Sequence, residues 1–183
     1  QALEKTLERL EGYEAPAGAW ESDIIPSRIE NYDPVWLDVL CLSGKLIWGR
    51  FNQSKNTQKK SSGTIKSSPI CLIERNNTDM WRIMSTHYPT DPVLSSTAEK
   101  VLNVLKQRGA SFFADIATET KLLNAQVETG ISELVANGLV NSDSFIGLRA
   151  LLTPAYNKPS DNNRRKKKTT FSIEHAGRWT LIP

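Results

Sequence analysis

Apolar positions along the first third of the chain follow helical spacing and then turn continuous. In QALEKTLERLEG (1–12), Leu3, Leu7 and Leu10 share one helical face, the charges lie opposite, and Gly12 supplies a stop. A second helix is predicted from about Pro16 to Ile25, with Trp20 and Ile24 on one face and Pro26 limiting its continuation. Asp33-Pro34 then makes a helix start, because Asp can cap and Pro at the first helical position loses no hydrogen bond. That third helix runs to Leu42 or Ser43 and stops at Gly44. LIWGRF (46–51) reads as a strand and ICLIE (70–74) as its return, separated by the polar stretch 52–69. Three helices and a long hairpin make a winged helix.

The pattern recurs after the TDP turn at 90–92. Ser95 or Ser96 caps a helix containing Val101, Leu102, Val104 and Leu105, and Gly109 ends it. Residues 111–119 form a second helix and Asn124 to Asn137 a third, stopped by Gly138. LVNSD (139–143) begins a strand and GRWTLIP (177–183) returns it, while FIGLRALL (145–152) is a short helix or strand. The expected fold is therefore mainly α with small β hairpins (α+β). It comprises two tandem winged-helix domains, 1–91 with its wing at 52–69 and 92–183 with an irregular basic wing at 153–176.

Charge sharpens this division. Residues 1–91 hold 11 Lys+Arg against 12 Asp+Glu, and residues 92–183 hold 12 against 8. Without the run Arg164-Arg165-Lys166-Lys167-Lys168 the second half would also be slightly acidic, so the basic excess lies in one segment. A hydrophobic content of 39% with 23% charged residues fits a soluble globular protein. No run approaches the ~20 apolar residues of a membrane span, and no signal-peptide pattern opens the chain. Cys41 and Cys71, each in an apolar run without CxxC spacing, read as buried thiols of a cytoplasmic protein. A chain opening on Gln1 is expected to be a piece of a longer protein.

In a winged helix the helix before the wing is the one that enters the major groove, where Arg, Lys, Asn or Gln would meet base edges. Residues 34–42 do not suit that task. Trp36, Leu37, Leu40 and Cys41 make one apolar face, Val35, Val39 and Leu42 cover much of the rest, and Asp33 and Asp38 would repel phosphates. The helix is expected to pack against protein on both sides. In helix 124–137, Glu128 and Glu133 give a mildly acidic surface. The wings are better candidates: Lys55, Lys59, Lys60 and Lys66 in the first, and Arg164, Arg165, Lys166, Lys167 and Lys168 in the second. They could neutralise phosphates without reading sequence, or serve only as solvated loops. Arg50 and Arg149, each after an apolar run, are expected to be ion-paired, and the five tryptophans to be core anchors.

Catalytic chemistry is sparse. There is no GxxxxGK[ST] phosphate loop, and His87 and His175 lack zinc-ligand spacing. Asp143, at a strand end, is the one carboxylate that could serve a base-excision reaction, although capping whatever begins at Ser144 is its simpler role.

Four stretches carry a family resemblance: PAGAWESDIIPSRI, YDPVWLDVLCLSGKLIWGRF, FFADIATETKLLNAQVETGISELVANGLVNSDSFIGLRALL and GRWTLI. Together they cover most of 10–152 and 177–182 and resemble the C-terminal region of large helicase-related (Lhr) proteins. The resemblance implies a parent that is a superfamily-2, DEAD/DEAH-type, ATP-dependent DNA helicase with a RecA-like core using ATP and Mg. It implies a C-terminal extension of tandem winged helices, similar in arrangement to helix–turn–helix DNA glycosylases and associated with oligomers and DNA repair. The partners it implies are DNA or an RNA:DNA hybrid, neighbouring domains of the parent, and a second copy. No family catalytic residue carries over to this segment, so a non-catalytic scaffold is expected, with part of a glycosylase module or an oligomerisation module as alternatives.

Overall fold

The computed structural model describes residues 1–51, 65–84, 92–153 and 173–182. Helix α1 (Ala2–Arg9) buries Leu3 and Leu7, as their spacing predicts. Strand β1 (Ala15–Pro16), a single wide helical turn (Trp20–Ile24), α2 (Pro34–Leu42), β2 (Leu46–Gly49) and β3 (Pro69–Glu74) complete a first set of elements. A short helix α3 (Thr78–Met84), which the sequence pattern does not announce, follows it. The second set is α4 (Ser96–Arg108), β4 (Ser111–Phe112), α5 (Phe113–Thr120), α6 (Asn124–Ala136), β5 (Val140–Ser142), α7 (Phe145–Leu152) and β6 (Arg178–Leu181).

Leaving α3 and α7 aside, each set has the order α-β-α-α-β-β, the wide turn standing for a helix in the first, and each forms a small antiparallel sheet with its last strand in the middle. The sheet orders are β1-β3-β2 and β4-β6-β5. In the first, β2 and β3 register from Leu46 against Glu74 to Gly49 against Cys71. In the second, β5 and β6 register from Val140 against Leu181 to Ser142 against Trp179.

Helix starts follow their caps. Asp33 Oδ1 accepts from the Val35 amide at 2.9 Å at the head of α2. Ser95 Oγ accepts from the Ala98 amide at 3.2 Å at the head of α4. Two predicted helices begin later than expected. Ala15 and Pro16 pair with Ile70 and Pro69 instead, and a proline without an N–H suits such an edge strand. Likewise Ser111 and Phe112 pair with Trp179 and Arg178, so α5 begins at Phe113. FIGLRALL resolves as helix α7.

One continuous core joins the two sets. Leu7, Trp20, Trp48 and Ile70 pack in the same cluster as Val101, Ile131, Phe145 and Trp179. At the seam Trp48 Nε1 donates to the Ser144 carbonyl at 3.0 Å, and its ring stands edge-on to Phe145 at 6.2 Å. Asn141 Nδ2 donates to the Trp48 carbonyl at 3.1 Å, and Arg50 Nη1 donates to the Ala136 carbonyl at 2.7 Å. Trp20, Trp48 and Trp179 are fully buried, as core anchors should be. Trp36 departs from that expectation: it sits on the outward side of α2 and is 44% exposed.

Gly138 is where the seam constrains the backbone most tightly. Its φ is +71°, and a Cβ there would lie 2.5 Å from the Arg50 carbonyl oxygen. Gly109 has a similar φ of +75° but nothing within 4 Å. Gly138→Ala should therefore cost about 1–3 kcal/mol in urea unfolding, and Gly109→Ala distinctly less. Equal losses would show that the approach of Arg50 does not matter.

Candidate nucleic-acid interface

Helix α2 stands in the position of a recognition helix, and its sequence contains neither Lys nor Arg. Its inner face buries Leu37, Asp38, Leu40 and Cys41. Its outer face leaves Val35, Trp36, Val39 and Leu42 exposed. The expectation of protein on both sides is thus met on one side only among the described residues. The helix carries apolar groups all round, but among the described residues the fold buries just the inner stripe.

What holds the inner face is a buried charge cluster spanning the seam. Arg149, on α7, donates from Nε to Glu21 Oε2 at 2.5 Å and from Nη2 to Glu21 Oε1 at 2.8 Å. Its Nη1 donates to Asp38 Oδ2 at 2.6 Å, and Nη2 also reaches the Pro34 carbonyl at 3.0 Å. The guanidinium carbon lies 5.4 Å from the Phe145 ring centroid. Tyr32 closes the cluster, donating its hydroxyl to Glu21 Oε1 at 2.6 Å. Burial, reinforced by the Glu21 carboxylate, pushes the Tyr32 phenol above its ordinary range, so it stays a donor. Burial also raises the Asp38 carboxyl, with Arg149 pulling the other way. The expected ion pairing of Arg149 is met, whereas Asp38 faces this arginine and not solvent.

Helix α6 occupies the equivalent place in the second set and is likewise free of Lys and Arg. Glu133, expected on an acidic surface, turns instead to the head of α4. Its oxygens accept from the Ser95 amide at 2.7 Å and from Ser95 Oγ at 2.6 Å. The exposed positions of α6 include Asn124, Ala125 and Gln126 in its first turn. Gln126 Oε1 accepts from the Leu123 amide at 3.0 Å and Thr129 Oγ1 donates to the Ala125 carbonyl at 2.8 Å, so both are engaged at the helix itself.

Of the predicted phosphate-contacting residues, Lys66 is described. It is exposed in the short turn 65–67, with its carbonyl accepting from the Gly18 amide at 3.0 Å. Lys55, Lys59 and Lys60, and the whole run Arg164 to Lys168, lie outside the described residues. Asp143 does not cap α7. Its Oδ2 accepts from Arg178 Nε at 2.8 Å, and the N-cap position falls to Ser144, whose hydroxyl donates to the Ala176 carbonyl at 2.8 Å. Asp143 is therefore ion-paired at the edge of the β5–β6 sheet. Among the described residues no group of His, Cys, Asp or Glu could hold a metal ion, and no helix is long and apolar enough to cross a membrane. Cys41 and Cys71 are free buried thiols, each pushed up to about 12 by burial.

With this geometry in place, comparison with known proteins is specific. The family profile described as large helicase-related protein, winged-helix domain, matches residues 1–70, from α1 to the start of β3. Over residues 1–70 the chain is thus similar to the winged-helix domain of large helicase-related proteins. A Mycolicibacterium smegmatis protein named Lhr helicase/probable uracil glycosylase is 26% identical over 198 residues, covering 99% of this chain. The Escherichia coli K12 protein named Lhr helicase/uracil glycosylase is 23% identical over 201 residues, covering 97% of this chain. The chain spans 12% of the length of each of these relatives.

The signal for the Arg149 cluster is present in the sequence as charged residues inside apolar stretches, Asp38 in VWLDVLCL and Arg149 in FIGLRALL. Their pairing across 111 positions is not. Arg149→Met should cost about 3–5 kcal/mol in denaturant unfolding, because it strands two carboxylates. Asp38→Asn should cost less, since burial already disfavours the charged carboxylate. The reverse ranking would contradict this account of the cluster.

Proposed function

We propose that this chain is a non-catalytic module of a large helicase-related DNA helicase, built from two winged-helix units, 1–91 and 92–183, and acting as a fixed scaffold beside DNA. The observation that carries this reading is that both helices in the recognition position lack Lys and Arg, while α2 is bound into the seam by Arg149. The winged-helix reading of the second unit is supported by its element order, which repeats that of the first. DNA contact then falls to backbone-directed cations on the wings, Lys66 and Lys55, Lys59 and Lys60 in the first and Arg164 to Lys168 in the second. ATP with Mg, and the helicase step, belong to other parts of such a parent. Its work would be DNA repair in the cytoplasm.

A second reading is favoured by the relatives' names, which include uracil glycosylase. In it the chain forms part of a base-excision module, with Asp143 as the available carboxylate. The bond from Arg178 Nε speaks against Asp143 as the reacting group, because its Oδ2 is already engaged as an acceptor at 2.8 Å.

Fluorescence anisotropy with single-stranded DNA, duplex DNA and an RNA:DNA hybrid across a salt series tests the first reading. Binding should depend little on sequence, and changing Arg164 to Lys168 to Ala should reduce the salt slope by about 0.9 for each duplex phosphate no longer neutralised. Absence of binding at low salt, or a slope unchanged by the substitutions, would overturn it. Cleavable abasic product from a uracil oligonucleotide, abolished in Asp143→Asn, would establish the second reading in its place.

A further inference from the structure

The outer face of α2 has a regular geometry. Val35, Val39 and Leu42 recur at the spacing of a helix–helix seam, and they are 57%, 56% and 60% exposed. Trp36 lies beside them, held edge-on by Tyr32 at 6.3 Å. Between α2 and the first turn of α1 runs a groove of about 510 Å³, walled by Ala2, Leu3, Trp36, Val39 and Leu40. It continues past Leu40 and Lys45 into a second hollow of about 210 Å³, bordered by Glu4, Glu8, Leu46 and Glu74.

The charges along this path are not balanced. Lys45 Nζ sits 2.6 Å from Glu4 Oε1, so that carboxylate is compensated. Glu8 and Glu74 have no ion pair among the described residues, and both border the second hollow. The path thus begins beside apolar side chains, passes the Lys45–Glu4 pair, and ends at two carboxylates without an ion pair among the described residues. Nucleic acid is a poor match, because a phosphate backbone would meet hydrocarbon and carboxylates.

We infer that this groove is a docking site for an amphipathic protein helix with an apolar stripe and a Lys or Arg at the end reaching Glu8 and Glu74. The stripe would pack on Trp36, Val39 and Leu40, which line the groove, in the helix-in-groove mode of recognition. The basic end would complement the two carboxylates and set the direction in which the helix lies. The site is distinct from the wings and does not depend on whether they touch DNA.

The test uses two fluorescein-labelled designed helical peptides with identical leucine stripes, one ending in lysines and the other in glutamates, titrated with the 183-residue chain. The basic peptide should bind saturably and the acidic one roughly tenfold more weakly. Val39→Asp should weaken the basic peptide by a similar factor. Glu8→Gln with Glu74→Gln should erase the preference between the peptides while apolar binding persists. None of the three positions is buried, so unchanged melting temperatures confirm that these variants fold. Failure of both peptides to bind, equal affinity for the two, or indifference to Val39→Asp would each overturn the inference. So would sedimentation showing self-association abolished by Val39→Asp, which would seat a second copy in the groove.

Discussion

A single guanidinium, that of Arg149, ties the structure together. It is 6% exposed and engages Glu21, from the Trp20–Ile24 turn, and Asp38, from α2. A cation this deep is expensive to desolvate, and its burial is tolerable only because two carboxylates and the Pro34 carbonyl surround it. The cluster works like a keyed joint. It adds little net stability over a well-packed apolar alternative, but any displacement of α7 from α2 would leave buried charges unpaired. The direction of α2 is thereby fixed to the second set of elements.

This constraint explains why the recognition position is unsuited to reading bases. A helix that enters a major groove needs an outward face with donors and acceptors, yet Asp38 of α2 is turned inward to Arg149 and the outward face presents Val35, Trp36, Val39 and Leu42. Around the joint, Trp48 to Ser144, Asn141 to Trp48 and Arg50 to Ala136 repeat the same strategy with neutral or backbone partners. The hydrophobic core crosses the seam without a break. The consequence is a pair of similar units joined in fixed relation, with the outer face of α2 turned away from the joint.

Features governed by neighbours in the chain are legible in the sequence. Asp33-Pro34, Ser95, Gly44 and Gly138 mark helix ends through capping and positive-φ chemistry, and the apolar runs at 46–49 and 70–74 pair as predicted. Features set by distant partners are not. Strands β1 and β4 are two residues long, too short for a period, and exist because β3 and β6 offer them an edge. Glu133 reads as a surface acid until the fold sets Ser95 beside it. Trp36 reads as core because composition cannot tell which apolar residues of an all-apolar helix will find a partner. Asp143 likewise reads as a cap from its neighbours, and only the return of β6 brings Arg178 to it.

Differential scanning calorimetry of the chain and of Arg149→Met tests the joint most directly. A single core keyed by one guanidinium should unfold in one transition, with calorimetric and van't Hoff enthalpies in agreement. In the variant, that transition should move to lower temperature as a whole or split. Two separable transitions in the unaltered chain, with Arg149→Met leaving both in place, would show that the two sets fold independently and contradict the account.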